Sequence, residues 1–205
     1  MSDNLIIVGA GGHARVCAEI AILNGYENII YLDDNEKLIG KDAYKGVVEG
    51  TIEEIDNYSG DVFVGIGDSI IRGKLLEEYI NQKNRNVISL IHPSAVVSET
   101  AALAKGVVIM AGAVVTLCEI DDGVIVNTCS SVDHDCYIHS NSHVAVGAHL
   151  CGNVKVGENC WIGAGATIVN NVNITDNVTI GAGAVVLNDI TEPGTYVGVP
   201  AKRIK

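Results

Sequence analysis

The chain has 205 residues, of which 48% are hydrophobic, and its formal net charge at pH 7 is −12. This length allows two small domains, and the acidic charge argues against nucleic acid or anionic membrane surfaces as partners. Because the sequence has no apolar run long enough to cross a membrane and no basic leader, we expect a cytoplasmic protein without membrane insertion.

The first 90 residues predict an α/β domain that opens with a strand, a helix and a second strand. Residues 5–8 are aliphatic, residues 9–14 form a turn of the pattern G-x-G-x-x-A, and apolar residues at helical spacing follow. The second strand, residues 28–32, ends in two aspartates. This order is typical of a Rossmann-like βαβ unit. Thr51 and Glu54 then predict a capping box at the start of a short helix.

A third strand, residues 61–66, ends in a glycine just before a helix over residues 70–82, and a last strand is expected over residues 87–90. The carboxyl ends of parallel strands share one crevice. Backbone N–H groups at a helix N-terminus can bind phosphate there, and a carboxylate can accept hydrogen bonds from sugar hydroxyls. The predicted substrate-binding residues are Gly11, Gly12, His13, Asp33, Asp34 and Gly67.

The glycine turn alone leaves the ligand open. A dinucleotide is the obvious candidate, but so short a domain has no room for a second mononucleotide half, and a mononucleotide or nucleotide sugar fits better. The glycines could instead serve only the close packing of a helix against a strand. Arg72, one turn into the helix after the third strand, is predicted to be a solvated surface residue.

From residue 91 onward an aliphatic residue returns at every sixth position. One series runs from Ile91 to Val115 and a second from Ile120 to Val186, one residue out of phase, so a residue is missing between Ile109 and Ile120. A six-residue period indicates a parallel β-helix in which each repeat is one short strand and one corner. Small or β-branched residues four positions later fit a narrow core, and the corners are rich in Gly and Asn, which tolerate positive φ. We therefore predict a β-helix domain with a short tail over residues 91–205.

One histidine stands out among the four that lie between residues 134 and 149. His134 occupies a corner beside Asp135, and the stacked position three repeats later is Gly152, which leaves space for a ligand. Histidine is the natural general base at neutral pH. His139 and His149 are interpreted as surface residues. The six cysteines form no C-x-x-C pair, and we expect free buried thiols and no metal site.

The whole chain resembles the bacterial nucleotide-sugar acetyltransferases of the hexapeptide-repeat family, which include bacillosamine-pathway N-acetyltransferases and sialic acid O-acetyltransferases. The resemblance rests on segments spread along the sequence: residues 8–13 (VGAGGH), 32–34 (LDD), 65–67 (GIG), 126–128 (VNT), 134–136 (HDC), 142–148 (SHVAVGA), 152–155 (GNVK) and 197–203 (VGVPAKR).

The resemblance implies a left-handed β-helix, a homotrimer, and acetyl-CoA bound between adjacent β-helices, with a nucleotide sugar held by the first domain. It implies His134 as the catalytic base, with Asp135 raising its basicity. It also implies acetyl transfer to the amine of a UDP-4-amino-4,6-dideoxy sugar for glycan biosynthesis. The residues that it implies for the acetyl-CoA site are His143, Gly152, Ala164 and Ala182.

Three alternatives remain. The acceptor could be a hydroxyl, as in sialic acid O-acetylation. A zinc lyase of the γ-carbonic-anhydrase type could use His134 and His139 as ligands, but it would need a third histidine about two coils upstream, where Ser98 stands. A non-catalytic nucleotide-sugar sensor would have no need for the pair formed by His134 and Asp135.

Overall fold

The computed structural model describes residues 4–205, and the chain separates into two compact units, Met1–Pro93 and Ser94–Lys205. The predicted boundary at residue 90 lies close to this division. The functions assigned to the two units stay predictions. No helix within residues 4–205 is long and apolar enough to cross a membrane.

The first unit is a Rossmann-like α/β fold around a five-stranded sheet with the order β3-β4-β2-β1-β5. All neighbours in this sheet are parallel except β3 and β4, which form an antiparallel hairpin. Strand β1, which lies between β2 and β5, is buried along most of its length, as its continuous aliphatic sequence predicts. The elements are β1 Asn4–Val8, α1 Gly12–Leu23, β2 Asn28–Leu32, β3 Asp42–Ala43, β4 Gly46–Gly50, β5 Asp61–Val64, α2 Ser69–Glu77 and β6 Leu90–Ile91, with 3-10 turns at Glu36–Leu38 and Ile52–Asn57 and a π-turn at Glu78–Gln82.

Two details of this unit differ from the sequence prediction. The β3-β4 hairpin was not predicted, because its strands are short and glycine-bounded. The strand expected over residues 87–90 is reduced to a single bridge at Val87, with regular pairing only at Leu90–Ile91. The capping box is confirmed, since the Glu54 carboxylate accepts the Thr51 backbone N–H at 2.8 Å.

The second unit is a left-handed parallel β-helix with three sheet faces. Face one holds β7 Val96–Val97, β10 Val114–Val115, β13 Ser131–Val132, β16 His149–Leu150, β19 Thr167–Ile168 and β22 Val185–Val186. Face two holds β8 Ala102–Leu103, β11 Glu119–Ile120, β14 Tyr137–Ile138, β17 Lys155–Val156 and β20 Asn173–Ile174. Face three holds β9 Val108–Ile109, β12 Ile125–Val126, β15 His143–Val144, β18 Trp161–Ile162, β21 Val178–Ile180, β23 Gly194–Val197 and β24 Lys202–Arg203.

The register of these faces confirms the stacking of every third repeat. His143 pairs with Ile125 on one side and with Trp161 on the other, at a spacing of eighteen residues. From Ile109 to Val186, the aliphatic residue of each six-residue repeat points inward and is buried. Two serines, Ser130 and Ser142, are also buried in the core. The Ser130 hydroxyl donates to the Asn127 carbonyl, and the Ser142 hydroxyl donates to the Gly157 carbonyl and accepts the Cys160 N–H, so both have hydrogen-bond partners.

The structure locates the missing residue at the corner Thr116–Cys118. Val115 pairs with Val132, seventeen positions on, whereas Glu119 pairs with Tyr137, eighteen positions on. The corner between β10 and β11 therefore has three residues where the corner between β13 and β14 has four. Leu117, with a φ of 45°, accepts the Asp135 N–H through its carbonyl.

The cysteine prediction is correct for most positions and wrong for one. All six thiols are free, and Cys17, Cys118, Cys136 and Cys160 are buried, with Cys151 partly so. Cys129 is exposed, because it occupies a corner at a φ of 55° that directs its side chain away from the core.

Candidate active site

The corner that follows β13 brings together the two predicted catalytic residues. The Nδ1 atom of His134 lies 2.8 Å from the Asp135 Oδ2 atom. Asp133 fixes the other side of the corner, since its Oδ1 atom accepts the His134 backbone N–H at 2.8 Å. Asp135 has a φ of 60°, which turns its carboxylate back towards the imidazole. The left-handed corner conformation therefore makes a contact possible between side chains that are adjacent in sequence.

The charges of this corner favour a basic imidazole. The pKa of His134 is raised, first by its hydrogen bond to Asp135 and then by the negative charge of Asp133. With Nδ1–H donated to Asp135, the neutral ring presents the Nε2 lone pair outward. His134 is exposed, so a ligand can reach that atom. The arrangement suits a general base.

The column of corner residues around His134 lacks a side chain on one side, at Gly152. A Cβ atom built on Gly152 would lie 2.6 Å from both Cε1 and Nε2 of His134, so only glycine allows this position of the ring. On the other side the shortened corner supplies Leu117, whose carbonyl accepts the Asp135 N–H just as the carbonyls of His134 and Gly152 accept the N–H groups one coil further on. The position left bare at Gly152 is thus taken up by the imidazole itself, and space for a ligand beside the histidine stays a prediction.

The other three predicted acetyl-CoA residues lie on a different edge of the β-helix. His143 is on face three, only 6% exposed, and its ring packs edge-on against Trp161 at a centroid distance of 4.3 Å. Ala164 and Ala182 occupy the corner between faces three and one, where they are exposed and stacked. His134 and Gly152 occupy the corner between faces one and two. Within one chain the structure therefore does not bring the two groups together.

Sequence reasoning missed Asn127, which lies one strand before His143 on the ladder. Its amide nitrogen is 3.0 Å from His143 Nε2 and orients that ring. The stacking period could have found it. Position 127 lies eighteen residues before Ala145, and Ala145 follows His143 by two residues in the same ladder.

A cavity of about 590 Å³ adjoins the Asp135 side of the catalytic corner, on face two. The cavity is lined in part by Glu119, Tyr137, His139 and Lys155. The side chain of His139, which was interpreted as a surface residue, is 43% exposed. Its Nδ1 atom lies 3.3 Å from Asp121 Oδ2, and its ring packs against Tyr137 at a centroid distance of 4.4 Å. His149 is exposed as expected. Within residues 4–205 no group of three or more His, Cys, Asp or Glu side chains is placed to hold a metal ion.

In the first unit, both predicted aspartates hold backbone loops. Asp33 accepts the Ala10 N–H at 2.8 Å and the Asn35 N–H at 2.9 Å, and Asp34 accepts the Ile52 N–H at 3.0 Å. The glycine turn is thereby tied to the end of β2, as expected for carboxyl ends that share a crevice. An added Cβ atom would meet nothing within 4 Å at Gly11 or Gly12, so both glycines face open space.

Arg72 is buried, and the prediction of a solvated surface role is wrong. It is 1% exposed, and its Nη1 atom donates to the carbonyls of Ile66 and Gly67 at 2.9 and 2.8 Å. The loop after β5 leaves these carbonyls without partners in the sheet, and the arginine supplies the donors. Burial lowers the pKa of Arg72 to about 10.

His13 lies at the start of α1, close to this arginine. Burial, followed by the charge of Arg72, lowers the pKa of His13 to about 4, so its imidazole is neutral at pH 7. Its Nε2 atom is 3.6 Å from the Cys17 sulfur. A Cβ atom on Gly65 would come within 2.8 Å of Ala14, which shows how closely the strand end approaches the helix. The glycine turn of residues 9–12, the loop of residues 65–67 and His13 thus lie together at one end of the sheet.

Two protein-family models match parts of this chain. The PglD N-terminal domain matches residues 4–79, and the bacterial transferase hexapeptide (six repeats) matches residues 153–188. A curated relative, the UDP-N-acetylbacillosamine N-acetyltransferase of Bacillus subtilis (strain 168), is 35% identical over 113 residues. That match covers 53% of this chain and 51% of the relative, so it spans about half the length of each.

Solved structures match the whole chain. The acetyltransferase domain of PglB from Neisseria gonorrhoeae FA1090, in complex with acetyl coenzyme A, is 38% identical, with a TM-score of 0.95 and 100% of each chain covered. PerB from Caulobacter crescentus, in complex with CoA and GDP-perosamine, is 32% identical, with a TM-score of 0.88, and 98% of this chain and 97% of that chain are covered. With the same two-unit fold and the histidine corner in place, this chain belongs to the hexapeptide-repeat family of sugar N-acetyltransferases.

Proposed function

We propose that the protein transfers the acetyl group of acetyl-CoA to the amino group of a nucleotide-linked amino-deoxy sugar, of the UDP-4-amino-4,6-dideoxy type, for bacterial glycan biosynthesis. The observation that carries this proposal is the corner where His134, hydrogen-bonded to Asp135, lies directly against Gly152, which has no side chain. The name of the Bacillus subtilis relative includes a UDP-linked sugar, whereas PerB was solved with a GDP-linked sugar. The choice of nucleotide is the part that the experiment must decide.

In the proposed mechanism His134 acts as a general base in direct transfer. The amine nitrogen attacks the thioester carbonyl carbon, and the imidazole Nε2 atom takes the proton that the nitrogen loses. The C–S bond then breaks, and the imidazolium returns that proton to the departing thiolate. Asp135 stabilises the imidazolium through its contact with Nδ1. A positioned base of this kind contributes about 10²–10⁴-fold to the rate.

The Gly152 backbone is the proposed donor to the tetrahedral oxyanion. No hydrogen bond from its N–H is found within the described part of the chain, while its carbonyl accepts the Asn171 N–H at 3.1 Å. The missing side chain lets the His134 ring lie directly against Gly152, so this backbone is next to the proposed base. A backbone donor already held in place stabilises the developing charge without reorganisation.

The two edges of the β-helix support the homotrimer that the sequence resemblance implies. His134 and Gly152 lie on one edge, whereas His143, Ala164 and Ala182 lie on or beside another face. In the proposed trimer these two groups, contributed by neighbouring chains, would contact one acetyl-CoA between them. Three chains related by a three-fold axis would then make three equivalent sites.

In the first unit, we propose that the open glycine turn and the neutral His13 receive the nucleotide sugar, with Asp34 and Gly67 beside them. The first N–H groups of α1, for which no acceptor is found among residues 4–205, suit phosphate, and Asp33 holds the turn in shape. The cytoplasmic location expected from the sequence stays a prediction.

The test is CoA release from acetyl-CoA with a panel of UDP-, GDP- and CMP-linked amino sugars. We expect turnover with the UDP-4-amino-4,6-dideoxy sugar, and a loss in kcat of about 10²–10⁴-fold in His134→Ala. His149→Ala is the matched control, because this histidine is exposed on face one, and it should keep its activity. Near-normal turnover in a correctly assembled His134→Ala variant would exclude this base. Full activity in a protein that light scattering shows to be monomeric would exclude the shared site.

A further inference from the structure

The corner column that carries His134 and Gly152 has a third member, Asn170. Asn153 N–H donates to the His134 carbonyl at 2.8 Å, and Asn171 N–H donates to the Gly152 carbonyl at 3.1 Å. These two bonds stack three successive coils, so residues 134, 152 and 170 occupy the same position of the corner. Neither family description names a residue of this column as functional.

The side chain of Asn170 points to the same bare position as the imidazole of His134. A Cβ atom built on Gly152 would lie 2.6 Å from His134 Nε2 and 3.3 Å from Asn170 Nδ2. Gly152, the middle member of the column, therefore has the base on one side and a carboxamide on the other. Asn170 is exposed, and no hydrogen bond of its side chain is found among residues 4–205.

The neighbouring asparagines are used differently. Asn153 donates from its side chain to the Asn171 side chain at 2.9 Å, and both residues have positive φ, so they serve the corner itself. Asn170 has no such structural contact and no left-handed backbone conformation to support. Its amide group is thus available to a ligand at the place where the reaction is proposed to occur.

We propose that Asn170 is a further catalytic residue, whose carboxamide N–H donates a hydrogen bond to the acetyl carbonyl oxygen of acetyl-CoA. This inference rests on the proposed function. As the amine attacks, negative charge grows on that oxygen, and a donor on the side of the column opposite His134 strengthens its hydrogen bond at the same time. Together with the Gly152 N–H it makes two donors, while the base works on the nitrogen from the other side.

The test is Asn170→Ala, compared with Asn188→Ala. Asn188 is the same residue type, exposed and one coil further along the same column, beyond the reach of His134. We expect Asn170→Ala to lower kcat about 10²-fold, since removal of one oxyanion donor costs about 10²–10³-fold, with KM for the acceptor unchanged. Asn188→Ala should behave as the unsubstituted protein.

A second measurement reports on the hydrogen bond directly. With acetyl-CoA carrying a ¹³C-labelled carbonyl, difference infrared spectra of the acceptor-free complex give the stretching frequency of the bound thioester. A donated hydrogen bond lowers this frequency, so Asn170→Ala should raise it, and Asn170→Gln should restore it in part.

The outcomes separate this inference from the proposed function. If His134→Ala is inactive while Asn170→Ala keeps both its rate and its carbonyl frequency, the role of Asn170 is wrong and the proposed function stands. A rise only in the acceptor KM of Asn170→Ala would show that this amide contacts the sugar, which also overturns the inference. If His134→Ala is fully active, the proposed function fails first.

Discussion

The His134 corner and the glycine crevice of the first unit hold their polar groups in opposite ways. At the corner, the backbone ladder of the β-helix fixes the geometry, and the reacting side chain is exposed with one carboxylate partner. In the crevice, buried or backbone-bonded side chains hold the loops, with Arg72 and Asp33 each meeting two backbone groups. Substitutions at the corner should therefore cost rate, and substitutions in the crevice should cost stability or acceptor binding.

Gly152→Ala should give the largest effect and tests the corner side of this comparison. The added methyl group would come within 2.6 Å of the His134 ring and must displace it. A misplacement of about 1 Å can cost about 10²-fold in rate, so we expect kcat to fall by that order. Thermal unfolding should change less than kcat, because the His134 side chain is exposed and can turn outward to relieve the contact. A large fall in stability with normal kcat would contradict the comparison.

Arg72→Leu tests the crevice side. The substitution leaves the Ile66 and Gly67 carbonyls without donors, and we expect the free energy of unfolding to fall by about 2–3 kcal/mol. Chemical denaturation followed by circular dichroism measures this change. Lys74→Leu is the matched control, an exposed cation on the same helix, and should be nearly neutral. Equal effects of the two variants would show that the buried arginine has no special structural role.

Asp33→Asn should act on acceptor binding alone. Loss of the carboxylate weakens its bonds to the Ala10 and Asn35 N–H groups, so the glycine turn loses its shape. Hydrogen bonds to charged groups contribute about 1.5–3 kcal/mol, and we expect a rise in the acceptor KM of about tenfold or more. The KM for acetyl-CoA should not change, and Glu27→Gln, an exposed acid elsewhere in the unit, should alter neither constant. Tight NADH binding by the unsubstituted protein would point to a dinucleotide site instead.

Asp135→Asn should give the smallest effect, a shift of the pH profile. The base works only when it is deprotonated, and its raised pKa places the loss of activity above pH 6.5 as the pH falls. Removing the hydrogen-bonded charge should move the inflection of kcat/KM towards lower pH and lower the maximum rate less than His134→Ala does. Asp133→Asn removes the second contribution and should shift the inflection by a smaller amount. An unmoved inflection in Asp135→Asn would mean that another group titrates.

The sequence predicted the β-helix far better than the crevice, and the reason is periodicity. A repeat every six residues assigns each position in the second unit to a face, a corner or the core, so the stacking of Gly152 on His134 could be read directly. The first unit has no such rule. Whether Arg72 is buried depends on which carbonyls a loop leaves unpaired, and this follows only from the folded backbone. The separation of His143 from His134 could have been counted from the hexads, since three hexads return to the same face.

The three-residue corner at Thr116–Cys118 also bears on how the coils find their partners. Coils of identical length can pair one step out of place with little change in their buried surface, which is a hazard for repeat folds. Here the three-residue corner stacks against a four-residue corner, and the ladder continues on both adjoining faces because the pairing changes from seventeen to eighteen positions at that point. The omission marks one coil as unlike the rest and so selects a single alignment. The same omission sets Leu117 next to His134 in the corner column, so one absent residue influences both the alignment of the coils and the surroundings of the base.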